Sequence, residues 1–332
     1  MGHNITEHDK VLSVRQPTWH GLENLLDEHP TREQAEKLVH DFQVIREPLY
    51  RKVFGIKDGE PYEDFVLYED EELNVRSDTG MALASVPRER VEVQPKEMWD
   101  LAELIQNNDK NIVIETAGSL RGGRDIWLLI RLDEPVKVNG DPQGLFLPMF
   151  ALQNSYEPGS SFRGQATNVR IVCWNTSRAS DMIAEAQGVN WAFRHGTTLK
   201  ERVEEIRGAL AGWRQSIDEF RLAKEFMATQ RVDRDQTNWF IEHFIPEPHG
   251  SLTTDRVKEN IRQDRVDLTL ELFNQRQDGI RGTSLALFEA ASSWNEHIRR
   301  AQSPLTRFKR AVLEPTDILT AAHDLALQAA SV

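Results

Sequence analysis

Near Gly188 the spacing of apolar residues changes, and that change constrains the fold of this 332-residue chain more than any other feature. Before it, short β-branched and aromatic runs alternate with turn formers. Phe65–Tyr68, Leu73–Val75, Met81–Ala84 and Val91–Val93 read as strands, with turns such as Asp78–Gly80 between them. After it, Leu199, Val203, Ile206, Leu210, Trp213, Ile217 and Phe220 recur at alternating steps of four and three, the seam of a long amphipathic helix. The expectation is an α+β chain: an N-terminal arm and short helix over 1–47, a central antiparallel sheet module over 48–190, and a helical region over 191–332.

Local signals refine this plan. Thr31 with Gln34 makes a capping box, and Ala35, Leu38, Val39 and Phe42 share the face that follows. Lys96–Gln106 has the apolar spacing of a helix. Ile112–Thr116 and Ile126–Ile130 flank Leu120–Arg124, whose Gly-Gly pair predicts a hairpin. Leu145–Leu152 reads as a further strand, and Pro148 argues for an edge or a bulge there. Val169–Trp174 is apolar enough to be buried but too short to show a period. The long helix starts at a second capping box, Thr198 with Glu201, and reaches Met227, with Lys224 interrupting the stripe. The stripe suits a core helix or a contact with a second subunit. Further helices are expected around 253–274, 283–300 and 315–329.

No stretch approaches the roughly 18–20 apolar residues needed to span a bilayer, and the N-terminus lacks the pattern of a secretory signal. Gly2 and Thr6 fit only the bare myristoylation pattern, which is short and common. Cys173 is the single cysteine, which excludes an internal disulfide and any CxxC zinc site and fits the cytoplasm. It lies in an apolar run beside Trp174 and reads as core packing. The net charge of −13 argues against broad adhesion to nucleic acid or anionic membrane, yet it leaves room for a local basic groove.

Gly118–Arg124 is the one glycine-rich segment suited to phosphate. It has neither the ending of a P-loop nor GxGxxG spacing, and a hairpin turn explains it more simply; that turn would still present Arg121 and Arg124 together. His243 and His249 match no helical metal-site spacing and read as loop residues. His195, just before the long helix, is a possible acid or base with no nucleophile indicated beside it. No motif requires a metal or a cofactor. Between 110 and 180, eight cations against six carboxylates leave +2 in an otherwise acidic chain, with Trp127, Phe162 and Trp174 interleaved. Cations with aromatic rings suit single-stranded nucleic acid.

Val75–Gly80, Ile114–Ser119 with Gly123 and Arg124, and Val169–Thr176 resemble the signature blocks of the phage/plasmid-like "domain of unknown function 932" family. Trp19–Leu22, Phe193–His195, Gly282–Thr283 and Trp294–His297 resemble its outer blocks. Two features depart from the pattern. Glu157–Ser160 stands where an aspartate-glycine-serine turn is usual, and 230–280 matches little. The resemblance implies a mobile-element origin but carries no established active site. By analogy with phage annealing proteins, the leading expectation is a cytoplasmic, non-enzymatic homo-oligomer that binds single-stranded DNA and anneals strands. Arg121, Arg124, Arg163 and Arg170 would meet phosphates, and Phe162 or Trp174 would stack on bases. The alternatives are a protein that modulates a host factor, and an enzyme whose acid/base pair is His195 and Glu115.

Overall fold

A computed structural model describes residues 8–15, 24–108, 111–170, 175–177, 189–196, 199–247, 254–274, 277–300 and 317–332. The fold is α+β. Among the described residues, nine strands form one sheet in the path β11-β10-β9-β7-β6-β1-β2, with β12 beside β10 and β8 beside β9. These are β1 (Val11–Val14), β2 (Asn24–Leu26), β6 (Ile112–Leu120), β7 (Asp125–Leu132), β8 (Val136–Lys137), β9 (Leu145–Ser155), β10 (Ser161–Arg170), β11 (Asn175–Ser177) and β12 (Trp191–Arg194). The ladders are antiparallel except for β1 with β2. A second sheet holds β3 (Val44–Lys57), β4 (Glu60–Arg76) and β5 (Ala82–Pro87).

One face of the large sheet is covered by α1 (Arg32–Val39), α2 (Pro95–Asn108) and the first half of α3 (Leu199–Thr229). Ile126, Leu128, Ile130, Phe150 and Leu152 meet Ala35, Met98, Trp99, Ile105, Ile206, Trp213 and Ile217 there. The predicted Thr31–Gln34 box caps α1 reciprocally. A second core gathers the end of α3 with α4 (Arg234–Phe244), α5 (Asp255–Leu272), α6 (Ser284–Ser293) and α7 (Asp317–Ala329). Phe146 of β9 meets Phe220 of α3 edge-on at 5.2 Å within that core. The Lys224 that breaks the apolar stripe is fully buried, donates to Glu289 at 2.7 Å and lies 3.7 Å from the Phe288 ring centre. A charge at that position is tolerable only because a carboxylate and aromatic faces surround it.

Several expectations need correction. The strand-rich region makes two sheets, and the runs at 65–68 and 73–75 belong to one 17-residue strand, β4. Residues 91–93 are not a strand. Pro148 is not on an edge strand: β9 lies between β7 and β10, and Pro148 opposite Asn168 falls in the gap between the β7 ladder, ending at Met149, and the β8 ladder at Phe146. Its missing N–H therefore costs no bond on that side. Ile206, Trp213, Ile217 and Phe220 are buried in the chain's own cores, which leaves that part of the seam no surface for a second subunit. Cys173, Trp174, His249, Thr198 and the Trp19–Leu22 block lie outside the described residues.

Candidate nucleic-acid interface

The predicted hairpin between β6 and β7 forms, and its turn is unusual. Arg121, Gly122 and Gly123 all have positive φ, at 56°, 74° and 94°. Glycine takes that conformation freely, whereas Arg121 is strained by it. The arrangement aims the amides of Gly122 and Gly123 at one carboxylate: Asp9 accepts from them at 2.9 and 3.1 Å and from the Ser119 hydroxyl at 3.2 Å. Successive amides converging in this way form an anion nest. The glycine-rich segment does hold an anion, and the anion belongs to the chain itself.

Beneath the turn, Arg76 donates to the carbonyls of Gly122 and His8, each at 3.1 Å, and to Asp78 at 2.7 Å. Its guanidinium lies 4.1 Å from the centre of the Phe42 ring. A side chain at Gly123 would meet the Arg76 guanidinium at 2.9 Å, and one at Gly118 would meet the Trp127 ring at 2.7 Å and the Lys10 carbonyl at 2.8 Å. The Gly118 carbonyl accepts from Nε2 of His40 at 2.7 Å, while Trp99 donates to His40 Nδ1 at 3.1 Å. The blocks at 75–80 and 114–124 thus converge on one joint. The glycines, Arg76 and His40 hold that joint together.

The surface beside the joint gathers the sequence-predicted arginines unequally. Arg121 and Arg163 line a common cleft of about 200 Å³ with Asp125, Gln153, Glu157 and Ser161. Arg163 is exposed on β10, with its Nε 3.0 Å from the Ser161 hydroxyl. Arg121 is spoken for: it holds Asp125 at 2.8 Å and both oxygens of Glu157 at 2.6 and 2.8 Å. Burial works against its charge, but the bonds to Glu157 and Asp125 outweigh it and raise its pKa. Arg124 is half-buried with a partnerless Nε. Arg170 ends β10 opposite Phe146 and Asn175, and its side chain is outside the described residues. Phe162 cannot stack on a base: it is 1% exposed, packed 5.1 Å from the Trp191 ring, on the face of β10 opposite to Arg163.

Residues not singled out by sequence complete the cleft. Gln153 places a buried amide nitrogen there without a hydrogen-bond partner. Arg90 stitches the turn beneath Glu157, donating to the carbonyls of Glu157 at 2.6 Å and Ser155 at 3.0 Å. The Glu157–Ser160 departure from the family pattern marked this place. Asp9 had no signal at all.

The proposed acid/base residues have separate neighbours. His195 lies 3.2 Å from the Val91 carbonyl and 3.7 Å from Glu92, and burial, reinforced by the charge of Arg90, lowers its pKa. Glu115 occupies a bulge in β6, accepts from Arg131 at 2.6 Å and lies 3.9 Å from His29. His243, on α4 and not in a loop, stacks on Trp239 at 4.0 Å. Among the described residues no three His, Cys, Asp or Glu side chains are placed to hold a metal ion, and no helix is long and apolar enough to cross a membrane.

The model of a family described as a domain of unknown function (DUF932) matches residues 82–316. That span takes in the β6–β7 hairpin, the cleft and helices α2 to α6, but not α1 or the blocks at 19–22 and 75–80. No curated protein and no solved structure matches the chain. With more than two thirds of its length matched, the chain belongs to the domain of unknown function 932 family.

Proposed function

We propose that this is a phage-type DNA-metabolism protein that binds single-stranded DNA in the host cytoplasm, with the phosphate backbone laid along the cleft between the β6–β7 turn and β10. The observation that carries the reading is the shared cleft of Arg121 and Arg163, two guanidiniums far apart in sequence that line one surface. Arg163 is the ready contact. Arg121 becomes one when a phosphate takes the place of the Glu157 carboxylate, because a guanidinium pairs with either anion through the same two-pronged geometry. Glu157 is then a competitor built into the site, which keeps binding weak for isolated anions and favours a polyanion that engages both arginines. Contacts of this kind go to phosphates, so sequence preference is weak. Strand annealing is the activity that such a surface would support in recombination.

Fluorescence anisotropy of a labelled oligothymidine at low salt tests the reading. The wild-type chain binds, Arg163→Ala weakens binding, and Glu157→Gln strengthens it by releasing Arg121. Absence of binding by the wild-type chain, or weaker binding by Glu157→Gln, overturns it, and the host-factor role replaces it in the first case.

A further inference from the structure

β3 and β4 extend well beyond their sheet. β5 pairs with β4 only from Glu71 onward, and the Asp70 carbonyl accepts from the amide of Arg88 just past it, so over residues 50–69 the two strands form a ribbon with both outer edges unpaired among the described residues. A tight turn at Asp58 and Gly59, with φ of 55° and 86°, closes it. The register sets Tyr50 opposite Leu67, Lys52 opposite Phe65, Phe54 opposite Glu63 and Ile56 opposite Pro61. Cross-strand partners share a face, so one side of the ribbon carries Tyr50, Phe54, Ile56, Phe65 and Leu67. Phe54, Ile56 and Phe65 are 70%, 78% and 65% exposed. On the other side Gly55 leaves room for the Tyr62 ring, which a Cβ there would meet at 2.5 Å. A projecting two-stranded ribbon with one apolar face is marginal in water by itself, and a contiguous apolar patch of this kind marks an interaction surface.

The charges select the partner. On the apolar face the register leaves one cation and one facing carboxylate, Lys52 and Glu63, which pair with each other at 2.5 Å within the ribbon and make the face self-complementary in charge, while Arg51, Lys57, Glu60 and Asp64 lie on the opposite face. We infer that the apolar face of this ribbon docks on the same face of a second copy of the chain, with β3 of each ribbon laid over β4 of the other. That arrangement closes the five apolar side chains against their counterparts and exchanges the Lys52–Glu63 pair within each ribbon for two symmetric pairs between the copies. A nucleic acid or an anionic bilayer would meet the carboxylate-rich strand with like charge.

Sedimentation velocity of the full chain over a concentration series reads the association directly, against a monomer of 38.1 kDa. The wild type self-associates with rising concentration. Phe54→Glu with Phe65→Glu weakens this by about tenfold or more, as removal of central aromatic anchors does, and at a concentration where the wild type is monomeric it leaves the thermal midpoint unchanged, because both rings are exposed in the single chain. Lys52→Glu alone and Glu63→Lys alone each associate less than wild type, and an equimolar mixture of the two regains association. A wild-type chain that stays monomeric at every concentration overturns the inference, as does association indifferent to the two phenylalanines or no recovery in the mixture. A monomer that binds oligothymidine or anionic vesicles through Phe54 and Phe65 assigns the face to that partner and also overturns it.

Discussion

Moderate acid should destabilise this fold through His40. The ring is 1% exposed, with Trp99 donating to Nδ1 and the Nε2 proton donated to Gly118. Both nitrogens are engaged in the neutral form, so a proton on Nδ1 breaks the Trp99 bond inside the core. Burial, opposed by the Gly118 bond and assisted by the charge of Arg76, pushes the imidazole from 6.5 down to about 4. The folded pKa is depressed, so the unfolded chain takes the proton first. The stability that depends on a neutral His40 is intact above the unfolded value and is lost as the pH falls through the folded one. At about 1.4 kcal/mol per unit, the full loss is about 3 kcal/mol below pH 4, of which about 2 kcal/mol is gone by pH 5. Urea unfolding followed by tryptophan fluorescence between pH 7 and 4.5 measures it, comparing wild type with His40→Gln, whose amide retains a donor and an acceptor but does not titrate. The wild type's advantage over the variant should shrink by about 2 kcal/mol between pH 7 and 5. A pH-independent difference, or an imidazole titrating near 6.5 by NMR, would refute the reasoning.

Lys224→Met should cost about 3–5 kcal/mol by stranding Glu289 in the second core. Lys224→Met with Glu289→Met should recover most of that, and a double variant no better than the single would show that the pair is not coupled. Gly118→Ala should cost about 1–3 kcal/mol, because the new methyl meets the backbone carbonyl of Lys10 as well as the Trp127 ring; an unchanged urea midpoint would contradict this. Asp9→Ala should cost about 1–3 kcal/mol by leaving the amides of Gly122 and Gly123 without their acceptor, read from the same midpoint.

The sequence was most legible where a local rule governs. The Thr31 box, the 96–106 helix and the 120–124 turn were written in residues that act on their immediate neighbours. The ribbon is hard to see in the sequence because residues 49–57 break the alternation with several charges, although Asp58–Gly59 is a strong hairpin signal. Pro148 misled because a proline is excluded from a strand only where its N–H is needed, and the gap between two ladders is set by tertiary pairing. In the cleft, the arginines were visible but their occupancy was not. Whether Arg121 faces solvent or Glu157 depends on β9 folding beside β7, and the nest acquires Asp9 only when β1 pairs with β6. Phe162 failed as a stacking candidate for the simplest reason: alternate residues of a strand face opposite ways, and Arg163 has the open side.

The salt dependence of oligothymidine binding tests the central claim most directly. Backbone contacts release counterions, so the logarithm of affinity should fall linearly with the logarithm of salt concentration, despite the chain's net charge of −13. Arg163→Ala, an exposed change, should flatten that slope by about 0.7 while leaving the urea midpoint as it is. A slope that the variant does not alter, or affinity indifferent to salt, would contradict a phosphate-binding cleft.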